Sequence, residues 1–111
     1  MKQFLIKYRL EEGSEELRRQ QIDAFIAALN GDAALKGKIS YRCMRVRGEP
    51  DYYHLAEAAD DDAVKALQSR EFFSRYTDQT EATAEGEVEV TPLEIIAETS
   101  SPVSFARPVA R

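Results

Sequence analysis

The sequence predicts an α+β sandwich. One antiparallel sheet of four strands carries helices on one face, in the order strand–helix–strand–strand–helix–strand. Three observations predict it. Apolar and polar residues alternate with period two over 3–10, 38–47, 52–59 and 87–98. Apolar residues recur at three- and four-residue spacing in two stretches, after Ser14 and after Asp60. The second and third strands are separated only by Gly48-Glu49-Pro50-Asp51, a turn that makes them a hairpin.

The first strand sets Phe4, Ile6, Tyr8 and Leu10 on one face and Leu5, Lys7 and Arg9 on the other. Ser14 is placed to cap the first helix, with Glu15 and Glu16 favourable beside the positive end of its dipole. Ile22, Phe25, Ile26 and Leu29 form its core stripe, Leu17 lies near its start, and Asn30-Gly31 supplies a left-handed stop. The second strand alternates Ile39, Tyr41 and Cys43 with Ser40, Arg42 and Met44. Its arginines Arg42, Arg45 and Arg47 suit an edge strand guarded against stray pairing. The third strand places Tyr52, His54 and Ala56 opposite Tyr53, Leu55 and Glu57. Asp60, Asp61 and Asp62 cap and charge the second helix, whose stripe begins with Val64 and Leu67, slips at Ser69-Arg70-Glu71 and restarts at Phe72, Phe73 and Tyr76; a bend or second short helix is expected there. The fourth strand, 87–98, contains Pro92 and therefore belongs at an edge or carries a bulge.

Right-handed crossovers then put strands one and three in the centre and two and four at the edges, a ferredoxin-like arrangement. Residues 1–98 form this domain, and 99–111 form a tail, flexible or packed on a neighbouring subunit. The sheet face without helices, expected to carry Tyr, Leu, Met and His side chains, is too apolar to stay wet. A homodimer through that face is the simplest closure, with a pocket either between helices and sheet or between the two sheets.

Composition narrows the partners. With 15 Lys and Arg against 20 Asp and Glu, the net charge is −5. That disfavours nucleic acid and anionic membrane surfaces. The only early apolar run, Phe4-Leu5-Ile6, is too short for a signal peptide or membrane span. A lone cysteine, Cys43, points to a reducing compartment, so a cytoplasmic location is expected. An RNA-recognition module shares this strand order, but Tyr52-Tyr53-His54-Leu55 is not its aromatic, glycine-rich motif.

Lys2-Gln3-Phe4-Leu5-Ile6-Lys7-Tyr8-Arg9-Leu10 is followed by a glycine and an acidic helix start. With Tyr52-Tyr53-His54-Leu55 and Leu67-Gln68-Ser69-Arg70-Glu71-Phe72-Phe73-Ser74-Arg75-Tyr76, this pattern resembles the dimeric α/β-barrel superfamily, in particular its antibiotic biosynthesis monooxygenase-like group. The resemblance spans residues 2–98. It implies a homodimer and a small-molecule pocket, in a superfamily that includes cofactor-free oxygenases of aromatic polyketides, haem-degrading enzymes, isomerases and proteins of no known activity. The tryptophan that haem degraders and many of the oxygenases use has no counterpart, because the chain contains none.

The remaining candidates are read from residue chemistry. His54, the single histidine, is the candidate general base, oriented by Tyr52 or Tyr8. A half-buried histidine bonded across the sheet is its structural alternative. Tyr41, Phe72, Phe73 and Tyr76 are candidate ligand contacts, with core packing as the alternative. Arg42 is a candidate clamp for an oxyanion, or an edge-strand charge. One His and one Cys on different strands do not make a metal site, and no glycine-rich dinucleotide fingerprint is present, so no cofactor is expected. The expected function is binding of a small apolar or aromatic molecule, with cofactor-independent oxygenation of an aromatic or quinone-like substrate if the chain is catalytic. The alternative is a non-catalytic ligand-binding or stress-response module. Convergence of His54 with two hydroxyls inside a cavity separates the two.

Overall fold

In the computed structural model, residues 1–101 are described. The strands follow the alternation, each within a residue or two of its expected start: β1 (Lys2–Arg9), β2 (Ile39–Arg45), β3 (Asp51–Ala58) and β4 (Glu89–Leu93). The helices are α1 (Glu15–Gly31), α2 (Asp61–Gln68) and α3 (Glu71–Thr83). The sheet order is β2-β3-β1-β4, with every pair antiparallel. The central and edge strands are thus those that the crossover rule selects. The expected tail from residue 99 falls mostly outside the described residues.

Register fixes the two faces. Ile6 pairs with His54 and Val90, and Tyr8 pairs with Tyr52. Side chains of Ile6, Tyr8, Tyr52 and His54 therefore share the helix-covered face. Leu5 pairs with Leu55 and Thr91, and Met44 with Tyr53, on the face that no helix covers. That face carries Leu5, Tyr53 and Leu55 on the two central strands, with Met44 and Leu93 on the edge strands. Gln3–Glu57 (2.6 Å) and Lys7–Glu89 (3.9 Å) lie among them, and Arg9–Asp51 (3.7 Å) closes one end. His54 belongs to the helix-side core and not to this open face, which corrects the expectation.

The helices pack as amphipathic stripes. Ile22, Phe25 and Leu29 of α1 are buried, and Phe25 stacks on Tyr76 of α3 at 3.9 Å between ring centroids. Three details differ from expectation. Ser14 stands at the N-cap of α1 but its side chain makes no cap hydrogen bond. Leu17 is 52% exposed, and Arg18 takes the buried place one turn before Ile22. Gly31 keeps helical geometry, and Asp32 ends α1 in extended backbone. Asp32 instead accepts from Arg70 Nε (2.7 Å), which ties the end of α1 to the break between α2 and α3. That break is the expected bend: Asp60 caps α2 through Ala63 N–H (2.8 Å), and α3 restarts at Glu71. β4 is five residues, shorter than 87–98. Pro92 pairs with Phe4 near its end, and Ile95 and Ile96 beyond it are exposed. Among the described residues no helix is long and apolar enough to cross a membrane.

Candidate functional site

His54 is fully buried in the middle of the central strand β3. Its ring meets three tyrosine hydroxyls: Tyr8 at Nε2 (3.0 Å), and Tyr41 (2.8 Å) and Tyr76 (3.2 Å) at Nδ1. Each arrives from a different element. Tyr8 lies on the neighbouring strand β1, Tyr41 on the edge strand β2, and Tyr76 on α3 above the sheet. Behind Tyr8 sits Arg18 of α1, also fully buried. Its Nε donates to the Tyr8 hydroxyl (2.8 Å), Nη2 to Thr80 Oγ1 (2.6 Å) and Nη1 to Gln21 Oε1 (3.1 Å). Its guanidinium carbon lies 5.2 Å from the Tyr8 ring centroid and 4.8 Å from that of Tyr76, in cation–π range.

The hydrogens can be assigned by counting donors. Arg18 has no acceptor, so Tyr8 oxygen accepts from it, and the Tyr8 proton points to His54 Nε2. A neutral imidazole carries one N–H, which then lies on Nδ1 and donates to Tyr41 or Tyr76. The chain of donors runs Arg18 → Tyr8 → His54 → Tyr41 and Tyr76. The Cys43 thiol lies 3.9 Å from the Tyr76 hydroxyl at its end. Among the described residues no buried side-chain nitrogen or oxygen lacks a partner.

Electrostatics hold this cluster in one protonation state. Burial, and then the nearby positive charge of Arg18, push His54 down to about 3, so the imidazole is neutral near pH 7. Burial raises Tyr8 to about 12 against the opposing pull of Arg18, and it raises Tyr41 and Tyr76 further. Burial also raises Cys43 to about 11, so the thiol is protonated and unreactive as a nucleophile.

Tyr41, Tyr76 and Thr80 also line a pocket of about 300 Å³ between the sheet and α2–α3. Its remaining wall is mainly apolar, with Phe4, Ile6, Ile39, Val64, Leu67 and Phe73. A mainly apolar chamber with a few convergent hydroxyls is the usual form of a small-molecule site.

The residues singled out in the sequence divide as follows. His54, Tyr8, Tyr41 and Tyr76 come together in one cluster, and Phe73 lines the pocket beside it. Tyr52 stacks on Tyr8 (5.4 Å between centroids), so it orients Tyr8 by ring packing; its ring centroid is 6.5 Å from that of His54. Phe72 packs at 6.0 Å from Phe25 in the core. Arg42 alternates with Tyr41 and Cys43 and lies on the opposite sheet face from the pocket. Sequence reasoning missed Arg18 and Thr80. The signal for Arg18 was present, because stepping the Ile22–Phe25–Leu29 stripe back by four residues lands on it. Among the described residues no three His, Cys, Asp or Glu side chains converge as a metal site would require.

No protein-family model matches the chain, and no curated protein matches it in sequence. Solved structures do match in shape. Rv0793 from Mycobacterium tuberculosis superposes with a TM-score of 0.73 at 15% identity, covering 89% of this chain and 98% of its own. An antibiotic biosynthesis monooxygenase superposes at 0.72 and 11% identity, over 87% and 100%. SnoaB, a cofactor-independent oxygenase from Streptomyces nogalater, superposes at 0.71 and 13% identity, over 90% and 97%. This chain shares the fold of these solved structures, a four-stranded antiparallel sheet with helices on one face.

Proposed function

We propose that this chain binds a small, mostly apolar, hydroxyl- or carbonyl-bearing aromatic molecule in the pocket between sheet and α2–α3, and oxygenates it without a cofactor. The observation that carries the proposal is the meeting of His54 with three tyrosine hydroxyls, two of them from residues that line the pocket. The fold shared with SnoaB is consistent with it. The apolar wall receives the aromatic body, and the Tyr41 and Tyr76 hydroxyls receive its oxygen. The phenolic or α-carbonyl proton leaves to solvent, and the electron-rich anion reacts with O₂ directly, one oxygen entering the ligand as a new carbonyl and the other leaving as water. His54 is neutral, its pKa pushed down to about 3 by burial and Arg18, and its Nδ1–H orders the Tyr41 and Tyr76 hydroxyls.

The same low pKa favours the second reading, a binding module with no turnover, because a base this weak is a poor proton acceptor at rest. Oxygen uptake with a panel of electron-rich phenols and quinols separates the two. Uptake that falls at least tenfold in Tyr41→Phe supports the oxygenase; ligand-induced thermal stabilisation without oxygen uptake leaves the binder. Tyr41→Phe is preferred to His54→Ala. His54→Ala would strip a partner from the Tyr8, Tyr41 and Tyr76 hydroxyls and so confound folding with function.

The proposal includes a homodimer through the open sheet face. An apolar centre of Leu5, Leu55, Tyr53 and Met44 among charged residues has the anatomy of an interface. A reducing, cytoplasmic setting belongs to the same proposal, supported by the single cysteine.

A further inference from the structure

Arg18 is a positive charge held in the core by neutral groups alone. Its hydrogen bonds go to a phenol, an amide oxygen and a threonine hydroxyl, and two aromatic faces flank it. Among the described residues it makes no ion pair. Buried charges are ordinarily paired, because dipoles and ring faces offset only part of the lost hydration. Thr80, which accepts from Arg18, and Tyr76, whose ring faces it, both line the pocket, as does Tyr41, reached through Tyr8 and His54.

The direction of the hydrogen bonds adds a second, independent point. Thr80 spends its own proton on the Tyr76 carbonyl (2.9 Å). Among the described residues the Tyr41 and Tyr76 hydroxyl protons end the donor chain; the two hydroxyls bond each other, and the Cys43 sulfur beside Tyr76 is a weak and distant acceptor. The cluster is therefore rich in donors and poor in acceptors where it meets the pocket. Two carboxylates also line the chamber, the exposed Glu81 of α3 and the half-buried Glu57, which accepts from Gln3 Nε2.

We infer that the buried Arg18 guanidinium is the counter-charge for a ligand held as an oxyanion, the conjugate base of an acidic phenol or enol, at the Tyr41 and Tyr76 hydroxyls. The inference rests on the pocket reading above and specifies the charge of what the pocket takes. Arg18 acts through Tyr8, Thr80 and the Tyr76 ring, so it is a positioning residue that sets the ionisation state of the bound molecule. On binding, the ligand's O–H bond breaks, the electron pair stays on its oxygen, and the proton is released to solvent. The anion then offsets the one fully buried charge of the cluster, Arg18, which a neutral ligand does not.

A nitrophenol is a suitable probe, because its anion absorbs at longer wavelength than its acid. The wild-type chain is titrated into the probe at a pH one unit below the probe's own pKa. The bound probe is expected to show the anion spectrum, with its apparent pKa lowered by at least one unit, a tenfold preference for the anion. The nitroanisole of the same shape is expected to bind at least tenfold more weakly. Arg18→Met is expected to return the bound probe to its neutral spectrum, and Arg18→Lys to restore the anion. If Arg18→Met does not fold, the spectrum and the nitroanisole comparison on the wild-type chain decide alone. A neutral bound spectrum, equal binding of nitroanisole, or no binding of either probe would overturn the inference. The oxygenase reading fails separately: an anion spectrum with no oxygen uptake from any electron-rich phenol removes that reading and leaves this inference standing.

Discussion

The neutrality of His54 has a consequence for stability that can be measured without any ligand. Its pKa is about 3 in the folded chain and 6.5 for an ordinary histidine. Between those values the unfolded chain binds a proton that the folded chain refuses. The stability gained by keeping His54 neutral is thus fully present above pH 6.5 and is lost as the pH falls towards 3. From pH 7 to pH 4.5 the loss works out at about 2.5 kcal/mol, at about 1.4 kcal/mol per unit of pKa difference. That is a large share of the ~5–15 kcal/mol that holds a typical domain. Because His54 is the only histidine, a proton NMR titration needs no assignment step. The folded chain is expected to show imidazole resonances that do not move between pH 8 and pH 4.5. Urea unfolding over the same range is expected to lose the stated amount, and the His54→Gln variant, if folded, to lack that component. An inflection near 6.5 in the folded-state titration would show that His54 is hydrated or charge-paired, and the electrostatic account of the cluster would fall with it.

Two further outcomes follow from particular contacts. Asp60→Ala removes the acceptor for the Ala63 N–H at the start of α2, and denaturant unfolding should show a loss of about 1 kcal/mol with an unchanged m-value. Leu55→Arg places a charge at the centre of the open sheet face, opposite Leu5, and sedimentation should show the proposed dimer dissociated while circular dichroism shows the fold kept.

Most of the fold was legible because its signals are local. The alternation in β1 and β3, the hairpin turn at 48–51 and the slip at Ser69-Arg70-Glu71 each depend on a few neighbouring residues, and each is where the sequence placed it. The end of α1 was less legible. Asn30-Gly31 offers a left-handed stop, yet a long-range pair between Asp32 and Arg70 settles the chain there without one. The site was legible in part. A single histidine among five tyrosines marks the chemistry, but which hydroxyls reach it depends on sheet register and on the packing of α3. Arg18 was hidden by its residue type. Hydropathy assigns an arginine beside Leu17 to solvent, and only the three hydrogen bonds and two ring faces waiting in the core reverse that order.

The sheet separates two properties that the sequence left entangled. Every member of the His54 cluster comes from one copy of the chain, through β1, α1, β2, β3 and α3, and the pocket lies on the helix side of the sheet. The apolar face proposed to join two copies lies on the other side of the same strands, so residues such as Tyr53 and Leu55 flank His54 in sequence yet point away from it. A ligand chamber between two sheets would require both copies for binding; a chamber under α2–α3 does not. Leu55→Arg should therefore yield a single-copy species whose affinity for the nitrophenol matches that of the wild-type chain. Dissociation and loss of binding occurring together would place the chamber across the interface instead.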